Sequence, residues 1–311
     1  MLRQYTTNLK SQLFPIQPEC EDECECNTLR LFVSGNYSPV ENPALDRFCV
    51  DRCQDGGTVS LGLMDRICDD FTIGLAGGYA FDWSKLKEID NTFTFDLRAW
   101  TISGIASFHR DHGYISGIFT AAFLDFDKIK KQFFLGPAKL ETRGNTNGID
   151  YSGHLFGAYY FIACDCNVRT GPMFDLNYQY VCIDGYKEKG ASAGNLQFKD
   201  FNRNFFTSGL GWEARLEQHW SCIDLVYDFY VMGNRQWLKD KDTVRLREVS
   251  ISGAYGSWPI NNPKNGFVSG GAHISGCFCG GITSTLGYDF NIGASHMSEH
   301  FITIGLSFPI W

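Results

Sequence analysis

Residues Phe301–Trp311, FITIGLSFPIW, decide the fold class of this chain. Large apolar residues occupy alternate positions from Ile302 to Ile310, and small or polar residues such as Thr303 and Ser307 stand between them. A period of two is that of a β-strand with one apolar face. The opposite face carries threonine, glycine and serine, whereas the outer face of a soluble sandwich usually carries charges. We therefore interpret this segment as the closing strand of an all-β, transmembrane antiparallel β-barrel.

The composition agrees with many strands that are joined by tight turns. The 311 residues include 33 glycines, 9 prolines and 15% aromatic residues. No run approaches the ~18 consecutive apolar residues of a transmembrane helix, and a barrel needs apolar residues only at alternate positions. The net charge of -8 and the absence of a basic cluster argue against a nucleic-acid partner.

The opening segment MLRQYTTNLKSQLFPIQPE lacks the apolar core of a secretory signal peptide. Because an outer-membrane barrel has to be exported, we expect either that the signal has been removed or that the sequence begins inside a longer chain. Residues 1–27 carry no strand pattern and are predicted to be a linker or a pore plug. A short helix is indicated by apolar residues at helical spacing, with a frayed terminus as the alternative: Leu2, Tyr5, Leu9 and Leu13.

Residues 28–311 are predicted to form one barrel of about twelve strands. The strand-like runs are 28–37, 57–64, 71–81, 92–108, 114–126, 145–162, 167–183, 195–217, 223–233, 265–276, 281–290 and 301–311. Five connections are short, and the six between them are longer, up to Asn234–Lys264. Short turns at one end and long loops at the other are typical of outer-membrane barrels, and an even strand count places both chain ends at the short-turn end. Residues 243–258 are interpreted as a ribbon within the longest loop.

Alternation within the strands assigns charged residues to the inside of the barrel, because a charge on the lipid face costs about 2–4 kcal/mol at mid-membrane. The predicted pore-lining residues are Asp96, Arg98, Asp150, Arg169, Asp175, Asn177, Glu213, Arg215, Glu217, Asp224, Asp228 and Asp289. We expect them to pair across strands or with the N-terminal segment. Aromatic residues near strand ends are predicted to form two interfacial girdles: Trp100, Tyr114, Phe126, Tyr151, Tyr160, Trp212 and Tyr288.

No pattern indicates catalysis, a metal or a cofactor. The segment His109-Arg110-Asp111-His112 lies in a predicted short turn without a third ligand, so a solvated turn is favoured over a metal site. The chain has no Gly-x-Ser-x-Gly element, and its paired glycines lie in strands that no helix follows. We therefore predict no catalytic, cofactor-binding or metal-binding residues.

The order of motifs in the middle of the chain resembles a known family. Arg143-Gly144-Asn145-Thr146-Asn147-Gly148 leads towards Gly157-Ala158-Tyr159-Tyr160-Phe161, then come Gly171-Pro172, Asp184-Gly185-Tyr186-Lys187-Glu188 and Gly209-Leu210-Gly211-Trp212. This order resembles the autotransporter β-domain of type V secretion, especially the barrels behind lipase or esterase passengers, over about residues 28–311. The resemblance implies a twelve-stranded bacterial outer-membrane barrel, a helical linker through its pore and delivery of an N-terminal passenger to the cell surface. It also implies contact with the barrel assembly machinery through the C-terminal strand.

The sequence departs from that family in three respects. About 27 residues precede the first strand, which is too few for a folded passenger, and the chain ends on Trp311 where the family typically has phenylalanine. Its cysteine content resembles the polymorphic outer-membrane proteins, although their passenger repeats are absent. Three functions therefore stay open: a translocator or surface-display barrel, a porin-like channel, and a barrel that acts through its loops as an enzyme or adhesin.

The twelve cysteines favour an oxidising compartment and are predicted to gather at the short-turn rim. Six fall in or beside short turns and three precede the first strand: Cys68, Cys164, Cys166, Cys222, Cys277, Cys279, and Cys20, Cys24, Cys26. Cross-links to neighbouring envelope proteins or between adjacent turns are predicted, with cysteine as a small apolar filler as the alternative. Cys49 and Cys53 share one outer loop and are candidates for pairing, whereas Cys182 has the lipid-facing phase and is expected to be free.

Overall fold

Twelve strands form a closed antiparallel barrel around one helix, as the sequence predicts. The computed structural model describes residues 2–13, 29–42, 51–87, 92–162, 167–220, 223–238, 243–250, 254–259, 266–278, 280–293 and 298–310. The elements are α1 (Leu2–Leu13), β1 (Leu29–Asn42), β2 (Asp51–Cys68), β3 (Phe71–Lys87), β4 (Thr92–Arg110), β5 (Gly113–Leu135), β6 (Ala138–Tyr159), β7 (Val168–Ile183), β8 (Phe201–Trp220), β9 (Ile223–Leu238), β10 (Gly266–Phe278), β11 (Ile282–Gly293) and β12 (Ser298–Pro309).

Each barrel strand pairs with its neighbours in the chain, and β12 closes the barrel against β1. The closing register runs from Arg30 opposite Pro309 to Tyr37 opposite Ile302. The Ile310 N–H also donates a hydrogen bond to the Leu29 carbonyl at 2.9 Å. Closure leaves no unpaired sheet edge, which is the condition for strands to stand in hydrocarbon.

The start of β1 and the end of β12 lie at the short-turn end of the barrel, as predicted. The Arg30 Nη2 donates to the Gly281 carbonyl at 2.6 Å, and Gly281 lies in the short turn between β10 and β11. Leu29 pairs with Asp65 close to the next short turn, between β2 and β3. The longest connections, between β7 and β8 and between β9 and β10, are at the opposite end, where β5 and β6 are joined by only Gly136 and Pro137.

Several strands extend further from the short-turn end than the sequence indicates. Residues 127–144, predicted to be loop, form a hairpin in which β5 and β6 turn at Gly136, where φ is +62°. A bulge between Phe126 and Ile129, with Lys128 at φ +53°, bends this hairpin. Its sequence has no apolar residues at every second position, because Phe133, Phe134 and Leu135 are adjacent and polar residues flank them.

The predicted run 195–217 contains two separate strands. Leu196–Phe198 leaves the barrel and pairs with Thr243–Glu248, which pairs in turn with Gly256–Pro259. These three strands, here called the loop sheet, stand at the long-loop end. The ribbon expected within residues 243–258 is therefore present, and the strand β8 begins only at Phe201.

The two faces of the wall carry different residues. Leu75, Trp100 and Leu210 are 70, 66 and 75% exposed on the outside, whereas small hydroxyl residues such as Ser103 and Thr120 are buried inside. An apolar outer face and a polar inner face are what a lipid-bound barrel requires. Within the described ranges, no helix has the length and apolar character to cross a bilayer.

Three of the seven aromatic residues predicted for the interfacial girdles face the lumen and not the lipid. Tyr160 is buried, and Tyr114 and Phe126 pack against the core clusters inside the barrel. The alternation of β5 places Tyr114 and Phe126 in phase with the buried Ser116 and Thr120, so both face inward. The other four are exposed on the outer face: Trp100, Tyr151, Trp212 and Tyr288.

Candidate functional site

The helix α1 lies inside the barrel. The consecutive residues Asn8, Leu9 and Lys10 are 0, 0 and 6% exposed, although they point about 100° apart around the helix axis. Burial in three directions means that the wall surrounds this part of the helix. Leu9 and Leu13, one turn apart, pack in a cluster that includes Phe32. The lumen with its helix is therefore the candidate functional site.

One polar contact of α1 is made to hydroxyl groups on β2. The Asn8 Nδ2 donates to Ser60 Oγ at 2.8 Å and to Thr58 Oγ1 at 3.2 Å. Thr58 Oγ1 donates in turn to Asn36 Oδ1 at 2.9 Å, and the hydroxyls of Ser34 and Ser60 are 2.7 Å apart. Small side chains on β1 and β2 thus leave room for the helix and satisfy its amide side chain.

A second contact is a buried ion pair on the other side of the lumen. Lys10 Nζ lies 3.0 Å from Asp175 Oδ2, and the two side chains are 8 and 12% exposed. The same carboxylate oxygen is 2.8 Å from His154 Nε2. The ammonium group also lies 4.7 Å from the ring centre of Phe156 and 5.5 Å from that of Tyr230. Lys10 is thereby held by one carboxylate and two aromatic rings.

A histidine–carboxylate pair stands beside this ion pair. His273 Nε2 and Asp289 Oδ2 are 3.1 Å apart, and both residues are almost fully buried. The Tyr230 hydroxyl donates to Asp289 Oδ1 at 2.6 Å. Because Tyr230 also faces Lys10, the two carboxylates belong to one lumen network around the helix.

A third group of charges lies nearer the short-turn end. Glu213 accepts hydrogen bonds from the hydroxyls of Tyr114 at 2.9 Å and Tyr160 at 2.5 Å. Arg215 Nε lies 3.2 Å from Glu217 Oε1 and 3.9 Å from Asp228 Oδ1. These six residues, the turn-end cluster, fill the lumen below α1: Tyr114, Tyr160, Glu213, Arg215, Glu217 and Asp228.

Ten of the twelve predicted pore-lining residues are on the inner face. They are Asp150, Arg169, Asp175, Asn177, Glu213, Arg215, Glu217, Asp224, Asp228 and Asp289, each in phase with buried residues of its own strand. The structure brings most of them into contact with a partner. Gln179 donates to Asp150, Arg169 lies 3.5 Å from Glu217, and His219 Nδ1 lies 3.0 Å from Asp224.

The predictions for Asp96 and Arg98 are wrong. Both have the phase of Trp100 and Ile102, which are 66 and 63% exposed on the outside of β4. Asp96 pairs there with Lys128 at 3.2 Å. The strand at this point belongs to the long-loop end, where an outward charge meets water and not hydrocarbon, so the rule that sends charges inward does not apply.

Several lumen residues were missed by the sequence reasoning. His154 and His273 have the inward phase of their strands, and that signal was available. Lys10 and Asn8 gave no signal, because nothing in the sequence says which wall residues a helix will meet. Among the described residues, no group of three or more His, Cys, Asp or Glu side chains is arranged to hold a metal ion.

The cysteine predictions fall largely outside the described residues. Cys20, Cys24, Cys26, Cys49, Cys164, Cys166, Cys222 and Cys279 lie there, and the side chain of Cys53 is not described either. Cys68 is an exposed free thiol beside the turn between β2 and β3. Cys182 is a free thiol, as expected, and it has the outward phase of β7. Cys277 is buried.

Comparison with known proteins places these features in a family. The family model described as autotransporter beta-domain matches residues 50–289. The chain is 28% identical over 220 residues to the protein named Esterase EstA of Pseudomonas aeruginosa. That alignment covers 69% of this chain and 32% of the esterase, so the chain spans about a third of this relative's length.

Solved structures of similar fold include domains of two autotransporters. The translocator domain of autotransporter NalP from Neisseria meningitidis superposes with a TM-score of 0.66 at 14% identity, covering 98% of both chains. The beta domain of the Bordetella autotransporter BrkA gives a TM-score of 0.60 at 11% identity and covers 91% of this chain and 100% of its own. At these identities the likeness concerns the fold alone.

Proposed function

Because this chain belongs to the autotransporter β-domain family, whose barrels stand in the bacterial outer membrane, we propose that it delivers a passenger segment to the cell surface and anchors it there. The observation that carries the proposal is the position of α1. The helix lies inside the lumen and is held by contacts from Asn8 and Lys10 to opposite walls. A segment joined to this helix would continue along the barrel axis, which is the route of an exported chain.

The same observation disfavours a porin-like channel. An open pore needs a water-filled lumen, whereas α1 and the turn-end cluster occupy this one. A helix inside the barrel is compatible with a translocator after passenger export, since the last exported segment stays in the pore as a plug.

Catalysis is assigned by this proposal to a passenger and not to the barrel. The word esterase in the name of the Pseudomonas relative describes that protein, and the alignment covers only 32% of it. The lumen carboxylates of this chain are engaged by Tyr, Lys, Arg and His side chains, which is typical of a structural network. We expect the purified barrel to have no esterase activity of its own.

The assembly partner that we propose is the barrel assembly machinery, contacted through β12. The support is the exposed apolar face of this strand, where Ile302, Ile304 and Leu306 are 49, 60 and 39% exposed. This strand also forms the last pair of the barrel, with β1, so it is free to be recognised until closure occurs.

We also propose disulfide cross-links between the short-turn rim and neighbouring envelope proteins. Cys68 supports this idea, because its thiol is free, exposed and located beside a short turn. Non-reducing electrophoresis of native envelopes should show higher bands that collapse with reductant and weaken in Cys68→Ser. A single monomer band with alkylatable thiols would refute the proposal.

The translocation proposal is tested with an epitope reporter fused upstream of α1 and produced in a Gram-negative host. Protease added to intact cells should remove the epitope while the barrel stays protected and heat-modifiable. The matched control carries the same reporter behind a barrel with Ile304→Arg, which places a charge in the lipid face and is expected to lower the amounts of inserted barrel and of cleaved epitope together. A correctly folded wild-type barrel that leaves the epitope inaccessible would overturn the proposal.

A further inference from the structure

The loop sheet forms a groove at the long-loop end, separate from the lumen. The segment that follows β7 adds to this sheet, because Tyr186 and Phe198 exchange backbone hydrogen bonds of 3.1 and 2.8 Å. A groove of about 650 Å³ lies against these residues and against Thr243–Glu248. That volume is in the range of small-ligand sites.

Four cations share one face of this sheet. Lys187 and Arg247 each lie opposite Gln197, and the Arg247 guanidinium donates to Gln197 Oε1 at 2.9 and 3.1 Å. Lys199 and Arg245 are two positions further along their strands, and residues two apart point to the same side. Lys187, Lys199 and Arg245 are exposed and line the groove. The groove wall is therefore positive in a chain whose net charge is -8.

The arrangement of these cations is unfavourable when the groove is empty. Lys199 and Arg245 are direct neighbours across the strand pair, where the Lys199 N–H donates to the Arg245 carbonyl at 3.0 Å. Like charges in opposite positions destabilise a sheet. Within the described part of the chain, Lys187, Lys199 and Arg245 form no salt bridge to a carboxylate. A bound anion would remove this repulsion.

One carboxylate, that of Asp200, is among the described lining residues, and it offsets only part of the charge of Lys187, Lys199 and Arg245. Asp200 Oδ1 accepts a hydrogen bond from the Gly185 N–H at 2.8 Å. A side chain at position 185 would collide with Asp200 Oδ1 and with the Phe198 carbonyl, at 2.8 and 2.9 Å from its Cβ. Glycine at this position thus lets the Asp200 carboxylate bind the backbone.

Aromatic rings position the cations and supply apolar contact surface. The Tyr255 ring has Lys199 Nζ at 4.6 Å and Arg247 Cζ at 4.8 Å from its centre. Cation–π contacts of this kind hold long side chains in place. Tyr186 and Phe198, each one position away from one of the cations along its strand, stack on the opposite face of the sheet with their ring centres 4.6 Å apart. The face with the cations therefore combines positive charge with the flat apolar ring of Tyr255.

We propose that this groove binds a phosphate-bearing saccharide at the cell surface. The guanidinium of Arg245 and the ammonium groups of Lys187 and Lys199 match the phosphate oxygens, and charge-assisted hydrogen bonds of this type are strong. The aromatic ring of Tyr255, which contacts Lys199 and Arg247, matches the C–H face of a sugar ring. The loops of the long-loop end face outward in bacterial barrels. Phosphorylated saccharides occur there as outer-leaflet lipopolysaccharide and as soluble sugar phosphates.

The first experiment measures binding of glucose 1-phosphate, glucose and inorganic phosphate to the full chain in detergent micelles by calorimetry. We expect glucose 1-phosphate to bind more tightly than either fragment, with an affinity that falls as salt is raised. The double variant Lys199→Ala/Arg245→Ala should weaken it at least about tenfold. The matched control is Arg235→Ala, which removes an exposed arginine 4.2 Å above the Trp237 ring, away from the groove.

A single exposed substitution, Lys187→Gln, repeats the test if the double variant fails to show heat-modifiable migration. Lys187→Gln should weaken the binding of glucose 1-phosphate and leave the affinity for glucose unchanged. Equal affinity for glucose and glucose 1-phosphate, equal loss in Arg235→Ala, or no phosphate binding at low salt would each overturn the proposal.

A second experiment separates the two sources of the ligand. Binding of glucose 1-phosphate is measured for barrels in two kinds of nanodisc. One bilayer contains phosphorylated lipopolysaccharide, and the other contains enzymatically dephosphorylated lipopolysaccharide. A lipid source predicts that phosphorylated lipopolysaccharide competes with glucose 1-phosphate in the wild type and not in Lys199→Ala/Arg245→Ala. A soluble source predicts unchanged glucose 1-phosphate binding in both bilayers. Absence of glucose 1-phosphate binding in both kinds of nanodisc would contradict a phosphate-selective groove.

Discussion

Lys10 Nζ and Asp175 Oδ2 lie 3.0 Å apart and join the lumen helix to β7 across 165 positions of the chain. Both side chains are nearly buried, and His154 shares the same carboxylate oxygen. This contact fixes the depth of α1 in the pore, because a lysine one turn higher or lower would face a different ring of wall residues.

The first prediction is that the ion pair of Lys10 and Asp175 retains α1 in the lumen. Lys10→Met leaves Asp175 as a buried charge without its lysine, and breaking a buried pair costs about 3–5 kcal/mol. The helix should leave the lumen more often, so planar bilayers should record more frequent large openings than with the wild type. The control Lys128→Met removes a lysine whose side chain is 66% exposed and should change nothing.

The double variant Lys10→Met/Asp175→Asn makes this prediction sharper. Removing both charges leaves no unpaired buried ion, so the cost should be smaller than that of Lys10→Met alone. Openings as rare in Lys10→Met as in the wild type would show that the ion pair does not hold the helix.

The second prediction is the ion preference of the lumen. Seven inward carboxylates outnumber the inward Arg30, Arg169 and Arg215. These carboxylates are Asp150, Asp175, Glu213, Glu217, Asp224, Asp228 and Asp289. A barrel from which residues 2–13 are deleted should therefore pass cations more readily than anions. Reversal potentials in a salt gradient measure this preference, and anion selectivity would contradict the charge balance of the wall.

The third prediction compares neighbouring residues of β12. Ile304 is 60% exposed on the lipid face, and Thr303 is fully buried on the lumen face. Ile304→Arg should destabilise the barrel by about 2–4 kcal/mol, because it places a charge in hydrocarbon. Urea unfolding in lipid vesicles measures the difference, and Ile304→Leu is the control. A loss no larger than that of the control would place Ile304 outside the lipid belt.

The fourth prediction is a pH response of the hairpin formed by the outer parts of β5 and β6. Hydrogen bonds from Gln132, Lys130 and Arg143 lower the pKa of Glu141 from 4.5 to about 2. A carboxyl group with a lowered pKa stabilises the hairpin above its ordinary pKa, and this contribution is lost as the pH falls from 4.5 towards 2.

Amide hydrogen exchange of the hairpin should therefore accelerate relative to that of the barrel strands in this pH window. Glu141→Gln keeps the shape of the side chain and removes its charge, so the variant should show fast exchange already at pH 6. A ratio of hairpin to barrel-strand exchange rates that stays constant with pH in the wild type would exclude the salt bridges of Glu141 as a source of hairpin stability.

The sequence was sufficient for the architecture because the relevant signal is local. The alternation of Ile302, Ile304 and Leu306 with Thr303 and Ser307 depends only on the period of a β-strand and on the contrast between lipid and lumen. The same rule, applied strand by strand, gave the twelve strands and ten of the pore-lining residues. It also predicted the free thiol of Cys182 on the outer face.

Height along the barrel axis is the first property that only the tertiary structure decided. Arg98 was expected inside because charges avoid lipid, yet it stands on the outer face where the strand has left the hydrocarbon. The alternation of β5 already indicates that Tyr114 faces inward, but the partner to which Tyr114 and Tyr160 donate, Glu213, is 99 and 53 residues away in the sequence. A local pattern contains no information about how far a strand extends from the membrane.

The contacts of the helix and of the loops are the second property that only the tertiary structure decided. The amphipathic spacing of Leu9 and Leu13 predicts a helix, but the partner of Lys10 lies 165 residues further along the chain. The four cations of the loop sheet belong to two separate segments of the sequence, residues 187–199 and residues 245–247. Strand pairing alone brings them to one face. Such contacts follow from the closure of the barrel and from the path of its long connections, which fix distances that no stretch of sequence encodes by itself.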